Sequence, residues 1–184
     1  MAFSVEDRAE SYQIAASAFA NQLDKAAPEE LPDNLDSDDY KRVLLLHMGA
    51  LAAIDGVVVK DEDGILDHVL SRERRFWRRH AVERKLTPEV STGIGRAMAA
   101  ITLGGGVDDE ERAVLAMRGL KFFHDEKENV LISVARLLSE IYPGENRWIE
   151  PVMPDLLGEH LIMREMEKDS AELLDVVLGP GESG

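Results

Sequence analysis

The chain has 184 residues, 45% of them hydrophobic, and a formal net charge of −15. That is enough apolar material for a packed core, which excludes wholesale disorder, and the acidity argues against general affinity for nucleic acid or anionic membranes. Cysteine is absent, so disulfides and thiolate chemistry are excluded. The start, Met1-Ala2-Phe3-Ser4-Val5-Glu6-Asp7-Arg8, has neither the basic region nor the apolar stretch of a secretory signal. The longest apolar run, Val43 to Ile54, contains His47 and is too short to span a bilayer, which needs about 20 residues. Together these predict a cytoplasmic protein with no membrane association.

Helical periodicity dominates, and the expected fold class is all-α: a multi-helix bundle followed by a helical subdomain with at most a short β wing. Ser4 is a fitting N-cap for a first helix over 5–24, with Tyr12, Ala16, Phe19 and Leu23 on one face. Residues 25–39, acidic and containing Pro28 and Pro32, read as a solvated connector. A second helix over 38–54 is apolar nearly all round, the mark of a central helix. Gly56 ends it, and Asp61-Glu62-Asp63 opens a third helix reaching about Lys85. Thr87-Pro88-Glu89 is a strong start signal for a fourth, which Gly104-Gly105-Gly106 stops. Asp108 with Glu111, and Asp125 with Glu128, resemble capping boxes for a fifth and a sixth helix. In the sixth, Val130, Leu131, Val134, Leu137, Leu138 and Ile141 face inward. Residues 145–152 are the only extended candidate. A seventh helix begins near Pro154-Asp155 and a last one near Asp169-Ser170. The expected division is 1–86, 87–168 and a terminal helix with tail over 169–184.

The third helix carries the most unusual chemistry. Residues 72–85 hold Arg72, Arg74, Arg75, Arg78, Arg79, Arg84 and Lys85 against Glu73 and Glu83, a local balance of +5 in a chain of −15. Its apolar stripe is Ile65, Leu66, Val69, Leu70, Phe76 and Trp77, with Phe76 and Trp77 directed at the core. Glu73 and His80 fall inside that stripe and are the buried polar candidates. As an acid–base pair they would stand two turns apart, roughly 10.5 Å along the axis, too far for direct proton exchange. The preferred reading gives Glu73 a structural partner, an arginine or a helix N-terminus. The arginines Arg72, Arg74, Arg75, Arg78 and Arg79 form the candidate interaction surface. With thin aromatic interleaving, docking on protein is favoured over nucleic acid.

Other catalytic signals are lacking. His47, His68, His80, His124 and His160 form no HExxH and no carboxylate–histidine cluster at metal spacing, and there is no Gly-x-Ser-x-Gly elbow. Gly179-Pro180-Gly181-Glu182-Ser183-Gly184 looks like the front of a phosphate-binding loop but lacks its lysine and hydroxyl residue, and reads as a helix stop and flexible tail. No catalytic, metal or cofactor residue is expected, and the chain is expected not to be an enzyme by itself.

Three stretches taken in order carry a resemblance: Leu46-His47-Met48-Gly49-Ala50-Leu51-Ala52, Arg72-Glu73-Arg74-Arg75-Phe76-Trp77, and Ile141-Tyr142-Pro143 followed by Val152-Met153-Pro154-Asp155-Leu156-Leu157-Gly158-Glu159-His160-Leu161. The set resembles the middle region of bacterial STAND-type NTPases, the NACHT or NB-ARC-like signalling ATPases, over about residues 5–178. The resemblance implies a helical bundle to about Leu86 and a winged-helix-like part over 87–168, between a P-loop ATPase core and a repeat array. It further implies ATP or ADP with magnesium in the parent protein and a role in signal transduction, antiviral defence included. Many family members carry Met-His-Asp-Leu after the wing, the histidine touching the β-phosphate of ADP. Here Met153-Pro154-Asp155-Leu156 is similar, but Pro154 stands in the histidine's place and has no donor. His160, one to two turns on, is the weak substitute.

The expectation is a regulatory interdomain module whose partners are the neighbouring ATPase and repeat domains. A free-standing helical adaptor for another protein is the first alternative, and a winged-helix nucleic-acid-binding protein the second.

Overall fold

The structure, a computed structural model, describes residues 4–178, and among them eight α-helices and two short 3-10 turns carry the fold. The all-α expectation holds. The only β pairing among the described residues is one antiparallel bridge between Val107 and Ile149, which is what the extended candidate over 145–152 amounts to. No helix among them is long and apolar enough to cross a membrane. The terminal glycine-rich segment lies outside the described residues.

The chain divides into two compact units, 1–72 and 73–184. The step from Leu86 to Thr87 lies inside the second unit, in the turn before its first complete helix.

In the first unit, α1 (Val5–Leu23) starts at a true capping box: the Ser4 hydroxyl accepts from the Asp7 N–H at 3.1 Å and the Asp7 carboxylate accepts from the Ser4 N–H at 3.0 Å. Its buried face, Tyr12, Ala15, Ala16 and Ala20, packs on α2 (Val43–Ile54). The expected single helix over 38–54 is two pieces. A 3-10 turn over Asp38–Lys41 is separated from α2 by Arg42, whose backbone is extended (φ −96°, ψ 125°). The break lets Tyr40 drop into the core, where it is 0% exposed. Its ring lies so close to α2 that a Cβ on Gly49 would sit 2.8 Å from it.

The connector over 25–39 is not simply solvated. Leu35 is buried, and Arg8 of α1, itself buried, donates to the carbonyls of Leu35 (3.2 Å) and Ser37 (3.0 Å). A guanidinium with several donors satisfies carbonyls that a chain without secondary structure leaves open, and so holds the segment down.

In the second unit the central element is α4 (Pro88–Leu103). Thr87 caps it through its hydroxyl at 3.3 Å, and every residue from Gly93 to Ile101 is buried. Around it stand α5 (Glu110–Arg118), α7 (Asp155–Met166) and α8 (Ser170–Leu178), while α6 (Glu128–Ile141) packs on α5. The caps of α5 and α6 differ from expectation. Asp109, not Asp108, caps α5 by accepting from the Arg112 N–H at 2.8 Å, because Asp108 is engaged by the side chains of Arg112 and Arg147. α6 starts after Lys127 with no side-chain cap. It is held instead by its apolar face, with Leu131, Val134, Leu137 and Leu138 all buried.

Candidate functional site

The arginine-bearing helix α3 spans Glu62–Glu83. Its arginines separate by environment. In the first unit Arg72 reaches Asp55, the residue that ends α2. Asp55 also receives Lys25 at 2.6 Å and the His68 ring at 3.0 Å. Burial by itself would raise the Asp55 carboxyl. The hydrogen bonds from Lys25 and Arg72, the Arg72 charge and the His68 bond overcome that and hold it well below the usual carboxylate range.

In the second unit Arg74 pairs with Glu165 of α7 at 2.9 Å, and Arg84, in the turn after α3, pairs with Glu140 of α6. Arg75, Arg78 and Arg79 are exposed. The Arg79 guanidinium lies over the Phe76 ring, 5.3 Å from its centroid, and Phe76 meets the His80 ring edge-on at 4.4 Å. Phe76 therefore stacks within a half-buried surface cluster, while only Trp77 enters the core as expected, at 2% exposure. The reason is local: residues 76, 79 and 80 share one helix face, so the ring gains a cation and an imidazole without crossing to another element.

Glu73 and His80 do not form an acid–base pair. Glu73 is half-buried and accepts from the Tyr142 hydroxyl at 2.7 Å; that hydroxyl in turn accepts from the Trp77 indole N–H at 2.8 Å. The partner is a tyrosine, not the arginine or helix end expected. Burial first, then the charge and hydrogen bond of Glu73, push the Tyr142 phenol far above its ordinary value, so it remains a donor. His80 is half-buried, not enclosed, and contacts Glu83 of its own helix at 2.7 Å.

The most enclosed charges are ones that periodicity did not single out. Arg96 of α4 is 2% exposed and Glu165 3%. Arg96 Nε donates to Glu172 of α8 at 2.6 Å, and its other nitrogens donate to the backbone carbonyls of Glu165 and Asp169. Glu172 also accepts from the Lys121 N–H at 2.6 Å, and the Lys121 ammonium pairs with Asp169. Glu165 holds Lys168 at 2.7 Å in addition to Arg74. Gly95 of the same helix faces this cluster, where a Cβ would be in ordinary contact with Glu165 Oε1 at 3.5 Å and the Trp77 ring at 3.4 Å. The sequence did hold a signal: between Val90 and Gly106 the only charged residue is Arg96. A lone guanidinium on an otherwise apolar central helix requires buried partners.

His160 is enclosed on α7 at 4% exposure, and Pro154 occupies the N-cap position of that helix with no side-chain bond. These residues do not fit a nucleotide phosphate: the proline has no donor and the imidazole does not face solvent. Among the described residues no group of three or more His, Asp or Glu is disposed to hold a metal ion.

Neither protein-family models, curated proteins nor solved structures give a match to this chain.

Proposed function

We propose that the chain is a regulatory protein-interaction module, of the interdomain kind its motifs resemble in STAND-type NTPases. The observation that carries this reading is the division of labour among the α3 arginines. Arg72 and Arg74 are spent on carboxylates of the chain itself, as is Arg84 just past the helix end. Arg78 and Arg79 stand on the exposed side of an otherwise strongly acidic protein. A small cationic face of this kind suits an acidic protein surface, where rim charges set encounter rate and partner choice more than raw affinity. In the resembled family that surface would belong to the neighbouring ATPase or repeat domain, and making or breaking the contact would bias two packings of similar energy.

The test begins with the coding sequence on either side of this segment, where a Walker A and Walker B pair upstream is the expected finding. In that full protein, Arg78→Glu with Arg79→Glu is expected to change basal ATP turnover by about tenfold, a difference of roughly 1.4 kcal/mol. The absence of any ATPase beside the segment, or unchanged turnover in a folded double variant, overturns the reading. Binding to duplex or single-stranded DNA that weakens steeply with salt would favour a nucleic-acid partner instead.

A further inference from the structure

The enclosed charges of the second unit form a branch point. One buried guanidinium, Arg96, adjoins two residues whose carboxylates are both enclosed, Glu172 and Glu165. It donates to the Glu172 carboxylate of α8 at 2.6 Å, but from Glu165, near the end of α7, it takes only the backbone carbonyl. The Glu165 carboxylate is turned instead to α3, where it accepts from Arg74 at 2.9 Å, and Lys168 reaches it from the rim at 2.7 Å. That carboxylate still lies against α4: a Cβ on Gly95, the residue before Arg96, would be 3.5 Å from its Oε1. Rotation of the Glu165 side chain therefore offers its carboxylate to the guanidinium that already holds its carbonyl.

The place of α8 depends on which carboxylate Arg96 holds. Leu173 is the only buried residue of this nine-residue helix. A helix so short does not persist undocked. Its polar hold is Glu172, which also accepts from the Lys121 N–H at 2.6 Å, and Asp169 just before it, which pairs with the Lys121 ammonium. An element with so few buried apolar contacts opens at lower free energy than the core it rests on. When it opens, Arg96 loses its one carboxylate partner, and a charge left in so enclosed a place must re-pair.

We infer that Arg96 and Glu165 form a partner-exchange switch linking α8 to the arginine face of α3. With α8 docked, the pairs are Arg96–Glu172 and Arg74–Glu165. With α8 released, Arg96 takes the Glu165 carboxylate and Arg74 is freed. Arg74 stands one helical turn before the exposed Arg78, so its release enlarges the cationic face. The same number of ion pairs to enclosed carboxylates does not survive release, which makes the docked form the resting one. The switch does not depend on what meets the α3 face, so this inference and the functional reading above can fail separately.

The test is hydrogen exchange on the whole chain, with residues 173–178 reporting α8 and residues 93–101 reporting the fold. Arg74 makes no contact with α8 among the described residues, so a passive α8 would ignore its loss. Arg74→Gln leaves Glu165 free for Arg96 and is expected to speed exchange in α8 at least about fivefold, the lower end of measured couplings between sites, with α4 unchanged. Glu165→Gln removes the alternative acceptor, so in that background Arg74→Gln is expected to add nothing. Conversely, Glu172→Gln is expected to raise modification of Arg74 by phenylglyoxal at least about twofold, as linkage requires, with Arg78 as internal standard. Unchanged α8 exchange in Arg74→Gln, the same acceleration with Glu165 absent, acceleration shared equally by α4, or unaltered Arg74 reactivity in Glu172→Gln overturns the proposal.

Discussion

Arg96 of α4 and Glu172 of α8 meet at 2.6 Å with only 3% and 7% of their side chains exposed. This pair, together with the carbonyls of Glu165 and Asp169, fastens the last described helix to the centre of the second unit. Leu173 is the only fully buried residue of α8, so little apolar area assists. Removing the guanidinium strands a carboxylate and two carbonyls, and Arg96→Ala is expected to cost about 3–5 kcal/mol. Urea unfolding gives the magnitude. Hydrogen exchange should show residues 170–178 losing protection first, and an unfolding midpoint equal to the parent's would refute this account of α8.

Tyr142 joins Trp77 and Glu73 by accepting from one and donating to the other. Tyr142→Phe leaves both without that partner, at a cost of about 1–3 kcal/mol. Read in a Trp148→Phe background, the emission of Trp77 should change as its indole loses its acceptor. Unaltered emission and stability would show the hydroxyl to be dispensable.

Asp55 sets an acid dependence in the first unit. Its folded carboxyl lies below the ordinary value, so the stability it contributes is fully present above about pH 4 and drains away as pH falls toward the folded value. Urea midpoints should therefore decline from pH 4 to pH 2. Asp55→Asn should be less stable at pH 7 and show a shallower decline. The decline will not vanish, because hydrogen bonds from Arg147, Arg84 and Lys121 hold Asp108, Glu140 and Asp169 low in the same sense. A variant with the parent's full slope would remove Asp55 from the explanation.

Gly106 adopts φ +92°, and a Cβ there would approach the Ile149 carbonyl to 2.7 Å. It directly precedes Val107, which bridges to Ile149. Gly106→Ala combines left-handed strain with a backbone clash and is expected to cost more than about 1 kcal/mol. Gly105 has φ +75° but open space around it, so Gly105→Ala should show the strain alone and a smaller loss. Equal thermal midpoints for the two variants would contradict this.

The helix starts were legible because they are local events. Ser4, Thr87-Pro88 and Pro154-Asp155 each place a capping or start residue within three or four positions of the helix it begins. Where side chains compete for several partners, locality failed: Asp108 was drawn off by Arg147, 39 residues away, and Asp109 took the cap. The cationic character of α3 was also legible, being a matter of composition over 72–85. What became of each arginine was not. Arg74 finds Glu165 across 91 residues and Glu73 finds Tyr142 across 69, separations at which a helical wheel carries no information. The seating of Tyr40, too, follows from the extended Arg42 that breaks the expected helix and from the approach of its ring to Gly49. By itself, then, the sequence determined an all-helical chain, most of its helix boundaries and one cationic helix, since capping, periodicity and charge act within a few residues. Only the tertiary structure decided which charges are buried, which arginines stay on the surface, and that Tyr40 enters the core, because those outcomes depend on packing between segments far apart in the chain.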